Sequence, residues 1–197
     1  LRRGRRGLSL RALRRAPHGV DLGPLRPRLP DALLTPNRRI DLAQPLVLDD
    51  VARVRAALTG TPVADGGLTL VGRRHLRSNN SWMHNAPRLV KGKPRHALLM
   101  HPDDLAPRQL ADGDTVEVRS DAGSVRTVVA ASEDVMRGVV SMPHGFGHER
   151  DGVRLSVART VIGPSVNDLT DPDRIESVAG NAVLNGVPVT VTRAAER

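Results

Sequence analysis

Residues 72–85, "GRRHLRSNNSWMHN", hold three arginines, two histidines, three asparagines and the single tryptophan of a 197-residue chain. That mixture suits a ligand that is anionic in one part and a polar heterocycle in another. Arg73 and Arg77 can fork onto phosphate oxygens, because a guanidinium presents its N–H groups in a planar pair. A unit charge pair at about 4 Å is worth roughly 4 kcal/mol at an effective dielectric near 20, part of it returned as desolvation. Gly72 lets the backbone come close to a ligand. Asn79, Asn80 and Asn85 each carry a donor and an acceptor in one planar amide, which matches a heterocycle edge. Ser78 and Ser81 add hydroxyls, and His75 and His84 can donate to a phosphate or a ring nitrogen. Trp82 has two readings, stacking on a ring or anchoring the loop from beneath. The plain alternative is a loop rich in asparagine only because asparagine tolerates turns.

A second stretch, "MPHGFGHE" at 142–149, sets two histidines and two glycines around Phe146. A helix would bring His144 and His148 together as a zinc pair, but Gly145 and Gly147 argue against one. A glycine-bounded loop at a strand end can close over a ligand, and His144 is the residue expected to touch it. Asp112 and Asp114 read as turn formers, and "NDLTDPD" (167–173) lacks the ligand number of a metal loop.

Charge concentrates where these residues lie. Residues 66–102 hold seven Lys and Arg and no acid. Residues 1–39 hold eleven Arg and two acids, and the rest of the chain is net negative. There is no cysteine, which excludes disulfides, Cys-ligated zinc and iron–sulfur clusters within this chain. No apolar run is long enough to span a bilayer. The opening "LRRGRRGLSLRALRRAP" lacks the apolar centre of a secretory signal, and the expected compartment is the cytoplasm.

The elements that must hold these residues are mostly strands. "LTLV" (68–71), "ALLM" (97–100), "TVEVRS" (115–120), "SVRTVVAA" (124–131), "GVVSM" (138–142) and "VPVTVT" (187–192) are short and rich in β-branched residues. "SDAG" (120–123) is the turn of a hairpin. "HPDDLAPRQL" (101–110) reads as one short helix with Pro102 in its first turn, followed by the turn "ADGD". "LDDVARVRAALTG" (48–60) reads as a helix that starts near Asp49 or Asp50 and stops at Gly60. Four prolines between Pro24 and Pro36 exclude a long helix there. With only Trp82 and Phe146 as aromatics, the core must rest on aliphatic packing. The expected division is 1–47, a basic irregular arm or the remnant of an upstream domain; 48–65, helix and linker; and 66–193, a β-domain.

Four ordered segments carry a family resemblance: the strand with "GR" and its polar loop, "HPDDLAPRQL", "ADGDTVEVRSDAG" running on to "GVVSMPHGFGH", and "SVNDLTD". Together they resemble the C-terminal molybdopterin-dinucleotide-binding domain of the molybdenum and tungsten oxidoreductases. That group includes the dimethyl sulfoxide reductases, formate dehydrogenases and periplasmic nitrate reductases. The resemblance implies a mainly β fold, a six-stranded double-psi β-barrel with short helices, preceded by the basic Pro/Arg-rich arm. It implies molybdopterin guanine dinucleotide as cofactor, with molybdenum or tungsten ligated by an upstream catalytic domain, and electron-transfer subunits as possible further partners. The loop Gly72–Asn85 then contacts pterin and phosphates, and Asn167 matches an asparagine that relatives use on the cofactor. Asn185 stands where some relatives have a cofactor-binding lysine.

Two other functions fit parts of the chain. A double-psi barrel can be a protein-binding adaptor, although an adaptor has no need of "SNNSWMHN". Seven Arg within residues 1–15 could bind nucleic acid or an anionic membrane, yet no aromatics interleave with them for stacking. Filter binding to nucleic acid across a salt series is expected to stay weak and flat; a steep salt dependence would make the arm a nucleic-acid binder.

Overall fold

A computed structural model describes residues 8–59 and 67–195. The predicted helix stop at Gly60, the link that follows it to residue 66, and the first seven residues of the arm lie outside the described residues. The chain divides into two compact units, Leu1–Leu48 and Asp49–Arg197. In the first, helix α1 (Leu10–Arg15) is capped by Ser9, whose hydroxyl accepts a hydrogen bond from the Ala12 N–H at 3.1 Å. Helix α2 (Pro45–Thr59) starts one turn before the expected Asp49 or Asp50. Proline at the first helical position lacks only an N–H that has no intrahelical partner anyway. Asp50 instead pairs within the helix with Arg53, at 2.6 Å.

The second unit is built on six strands: β1 (Leu68–Arg73), β2 (Leu98–Met100), β3 (Thr115–Arg119), β4 (Ser124–Ala131), β5 (Val139–Pro143) and β6 (Val187–Arg193). They close into a barrel in the order β1-β5-β2-β4-β3-β6. β1 runs parallel to β5 and β2 parallel to β4, and the remaining four neighbours are antiparallel. This is the double-psi β-barrel. Closure leaves no unpaired sheet edge, which is how so short a set of strands avoids pairing with other chains. Two short helices, α3 (Pro87–Val90) and α4 (Pro102–Leu105), flank β2 in sequence.

Alternation decides which side chains fill the barrel. Leu68 and Leu70, Val116 and Val118, Val125 and Val129, and Val187, Val189 and Val191 all point inward at even spacing. Leu98, Met100, Val140 and Met142 complete the centre, and Leu105, Leu110, Val166 and Leu169 close its ends. No aromatic side chain takes part, as the composition predicts.

The segment expected to be one helix over 101–110 is divided. Helix α4 passes into a tighter 3-10 turn over Ala106–Arg108, and Gln109 adopts a left-handed φ of 54°. Pro107 explains the break, since its ring and missing N–H do not fit a helix interior. The piece that remains is pinned from both ends. The His101 ring accepts from the Asp103 N–H at 3.1 Å, and Asp104 accepts from the Gly138 N–H at 2.7 Å, just before β5. Asp112 and Asp114 behave as turn formers: they accept from the Ala131 and Ala111 N–H groups at 2.8 and 2.7 Å. The Ala111 N–H and the Arg193 guanidinium hold the Asp114 carboxyl below its usual range.

Leu70 is wholly buried at the barrel centre. Leu70→Ala is expected to cost about 2–5 kcal/mol, read as a lower urea midpoint followed by far-UV circular dichroism.

Candidate functional site

The ends of β1 and β5 lie side by side, with Gly72 paired to Met142 and Arg73 to Pro143. The two glycine- and histidine-rich segments therefore leave the barrel together. Beyond β1 the chain makes a polar loop and a 3-10 turn over Trp82–Asn85 before it enters α3.

Two adjoining hollows open at this end, and Arg74 lines both. The first is a cleft of about 70 Å³ with Gly72, Arg74, His144, Asn167, Thr170 and Asn185 on its walls. The second is a recess of about 500 Å³ between Arg74, His75, Leu76, Asn79, Asn80 and Met83. Asn185 is 113 residues from Gly72, yet its side-chain oxygen accepts the Gly72 N–H at 2.7 Å. That bond fixes the amide so that its NH₂ is left to donate. Asn167 stands on a 3-10 turn over Val166–Leu169, which the Thr170 hydroxyl braces by donating to the Asn167 carbonyl at 2.9 Å. The next residue, Asp168, is paired with Arg150.

Several residues expected to face a ligand are engaged elsewhere. Arg73 does not fork outward: it donates to the Ser141 carbonyl at 2.5 Å and to the Ala97 carbonyl at 2.6 Å. Burial draws its pKa down to about 10. Arg77 donates to the Arg88 carbonyl at 3.2 Å, at the base of α3. Asn85 accepts from the Val157 and Ala158 N–H groups at 3.0 and 3.1 Å, and so holds the 3-10 turn Ala158–Thr160. Ser78 and His84 are buried and bonded to each other at 2.9 Å. His84 also meets His148 at 2.8 Å, across from the segment that follows β5.

What faces outward is a smaller set. Asn79 and Asn80 take left-handed φ values of 43° and 61°, and Asn80 accepts a hydrogen bond from Arg74. Asparagine tolerates that conformation better than most residues. Ser81 is partly exposed beside them. Trp82 is 83% exposed, so it does not anchor the loop. Arg74 is the residue that sequence reasoning missed. Its signal was present, because successive residues at a strand end point to opposite sides and adjacent arginines must diverge.

The surroundings of His75 and His144 favour the neutral imidazole. Burial lowers the pKa of His144, with Arg74 adding to the effect. Burial lowers His75 too, reinforced by Arg95, Arg73 and Arg77. A neutral imidazole offers one donor and one acceptor, the same pattern as the amides beside it. The cleft thus combines one outward-facing guanidinium with imidazole, amide and hydroxyl groups, which fits a polar heterocycle bearing an anion. Among the described residues no group of three or more His, Asp or Glu side chains is placed to hold a metal ion.

These features define a closed barrel with a polar cleft at one end, lined by one arginine and by neutral amide and imidazole groups. The family model for the molydopterin dinucleotide binding domain matches residues 68–188, and the chain belongs to this family. A tetrathionate reductase subunit from Salmonella typhimurium is 31% identical over 124 residues, covering 54% of this chain and 12% of that protein. The dimethyl sulfoxide/trimethylamine N-oxide reductase of Rhodobacter capsulatus is 49% identical over 55 residues, covering 28% of this chain and 7% of that protein. The chain therefore spans only a small part of the length of these relatives. Acetylene hydratase from Pelobacter acetylenicus shares the fold, with a TM-score of 0.54 at 19% identity over 64% of this chain and 18% of that one. The ligand class of the barrel is a molybdopterin dinucleotide, and the family match favours cofactor binding over the protein-binding adaptor. No helix among the described residues is long and apolar enough to cross a membrane.

Gly145 is the tightest point of the rim. It has a φ of 95°, and a Cβ there would collide with the Asn80 carbonyl. Gly145→Ala is expected to destabilise the fold by more than about 1 kcal/mol, since strain and overlap coincide. An unchanged midpoint in a urea titration would show that the two loops are not held together.

Proposed function

We propose that the chain is the C-terminal cofactor-binding part of a molybdenum or tungsten oxidoreductase, and that its cofactor is molybdopterin guanine dinucleotide. One observation carries this reading. Arg74, His144, Asn167 and Asn185, from four separate segments, converge on a single cleft beside Gly72. In this reading residues 66–193 bind the cofactor, 48–65 form helix and linker, and the arm 1–47 belongs with upstream catalytic domains that supply the metal ligand. Electron-transfer subunits are partners of that larger enzyme.

When bound, the cofactor supplies the metal at which electrons are exchanged. The chain's residues bind and orient it. Arg74 neutralises phosphate charge, and Asn167, the free NH₂ of Asn185 and the amides of Asn79 and Asn80 complement the heterocycle edges. His144 supplies a neutral donor or acceptor, Ser81 a hydroxyl, and Trp82 an exposed ring for stacking. Arg73, Arg77, Ser78, His84 and Asn85 serve the site from behind, by holding the loop in place.

Trp82 is the sole tryptophan and lies in the loop, so its emission reports on the site. Titration of the 197-residue chain with molybdopterin guanine dinucleotide is expected to quench it saturably. Arg74→Ala and Asn167→Ala should each weaken binding about tenfold, equivalent to about 1.4 kcal/mol. Absence of a saturable change in the wild type would overturn the reading. Competition by guanosine monophosphate tests the guanine assignment.

A further inference from the structure

The loop that carries Asn79 and Asn80 is tied to the segment after β5 at three places. Gly145 lies against the Asn80 backbone. The Phe146 ring, buried, sits 4.7 Å from the His84 ring, centre to centre. His84 Nδ1 is 2.8 Å from His148 Nε2, and its other nitrogen is 2.9 Å from the Ser78 hydroxyl. Ser78 is 2% exposed and immediately precedes the two asparagines. Its carbonyl accepts the Met83 N–H at 3.1 Å, so it holds both limbs of the loop.

The chain of Ser78, His84 and His148 has a definite proton capacity. With both rings neutral, either tautomer assignment satisfies it: one ring nitrogen donates across the 2.8 Å contact and the other accepts. With one proton added, the contact stays satisfied on either ring, because the protonated imidazole donates across it and the neutral one accepts. With two added, N–H faces N–H across the 2.8 Å contact, neither ring can accept from the other, and two cations share it.

We propose that His84 and His148 are positioning residues, a clasp that orders the Asn79–Asn80 edge while the pair carries at most one proton and releases it at two. The proposal rests on the reading of that edge as cofactor-facing, and it concerns the chain before any cofactor binds.

The surroundings make protonation costly. His84 is 3% exposed and lines a cavity of about 180 Å³ with Lys93, Arg95, Phe146 and Thr160. Two cations thus face it from the segment before β2, His75 from its own loop, and His148 from beyond β5. Burial first, and then His148, lower the pKa of His84, while the Gly145 backbone acts in the opposite direction. A lowered histidine contributes stability that is whole above its unfolded value near 6.5 and is lost as pH falls through the folded value. Release therefore belongs to mildly acidic pH.

Amide hydrogen exchange of the 197-residue chain, without cofactor and corrected for intrinsic rates, tests this. Between about pH 7.5 and pH 5, protection in residues 78–85 should fall at least about tenfold relative to the barrel strands. In His148→Gln the fall should stay within about twofold, because the amide can pair with His84 in either protonation state and bears no charge. If the wild-type loop tracks the barrel, or His148→Gln loses the same protection, the clasp is overturned. Imidazole ¹⁵N spectra of the wild type need no variant: His84 is expected to titrate below the usual histidine range, and an unshifted His84 would refute the proposal. Failure of cofactor binding with a pH-dependent loop would sink the functional reading and leave the clasp standing.

Discussion

The rim depends on a guanidinium sunk into the end of the barrel. Arg73 closes β1 and donates to carbonyl oxygens of Ser141 on β5 and Ala97 just before β2. The arginine and its two acceptors belong to three segments that must end at the same level if the loops beyond them are to face one another. Taking the charge out of water is costly, which is visible in a pKa drawn down to about 10. Hydrogen bonds from a charged donor return roughly 1.5–3 kcal/mol each, so two short ones offset much of that cost. The cation at this place acts on the protein's own backbone, and the neighbouring Arg74 is left to act on what lies outside.

The site that results separates two tasks usually asked of the same side chains. Charge comes from Arg74, which faces both hollows. Shape and hydrogen-bond pattern come from asparagine amides, hydroxyls and imidazoles whose neutral form is favoured by burial and nearby arginines. A heterocycle with alternating donors and acceptors is better read by such groups than by further cations, which would attract any anion alike. The long separation in sequence between Gly72 and Asn185 is bridged by the barrel closure itself, since β6 returns beside β1.

The six strands were legible because a barrel of this size fills its interior at even spacing along each strand, and Val116, Val118, Val125 and Val129 write that spacing plainly. The bounds of the two expected helices were less so, and proline was the reason both times. Pro45 extends α2 backward, and Pro107 cuts short the segment after Pro102. In the candidate site, the loop stands out by composition, but the direction of its side chains does not. Asn85 and Asn79 look alike in sequence; one caps a turn some seventy residues away and the other faces the recess. Such roles depend on which backbone N–H groups the fold leaves without partners, and that is decided only once distant segments meet.

The aliphatic core has a spectroscopic consequence. The chain has no tyrosine, its one tryptophan stands in solvent at the rim, and Phe146 lies among the loops outside the barrel interior. The barrel is therefore optically silent in the near ultraviolet. Light absorbed and emitted there comes almost wholly from one exposed indole, which can remain unperturbed while the strands part and can shift while they stay intact.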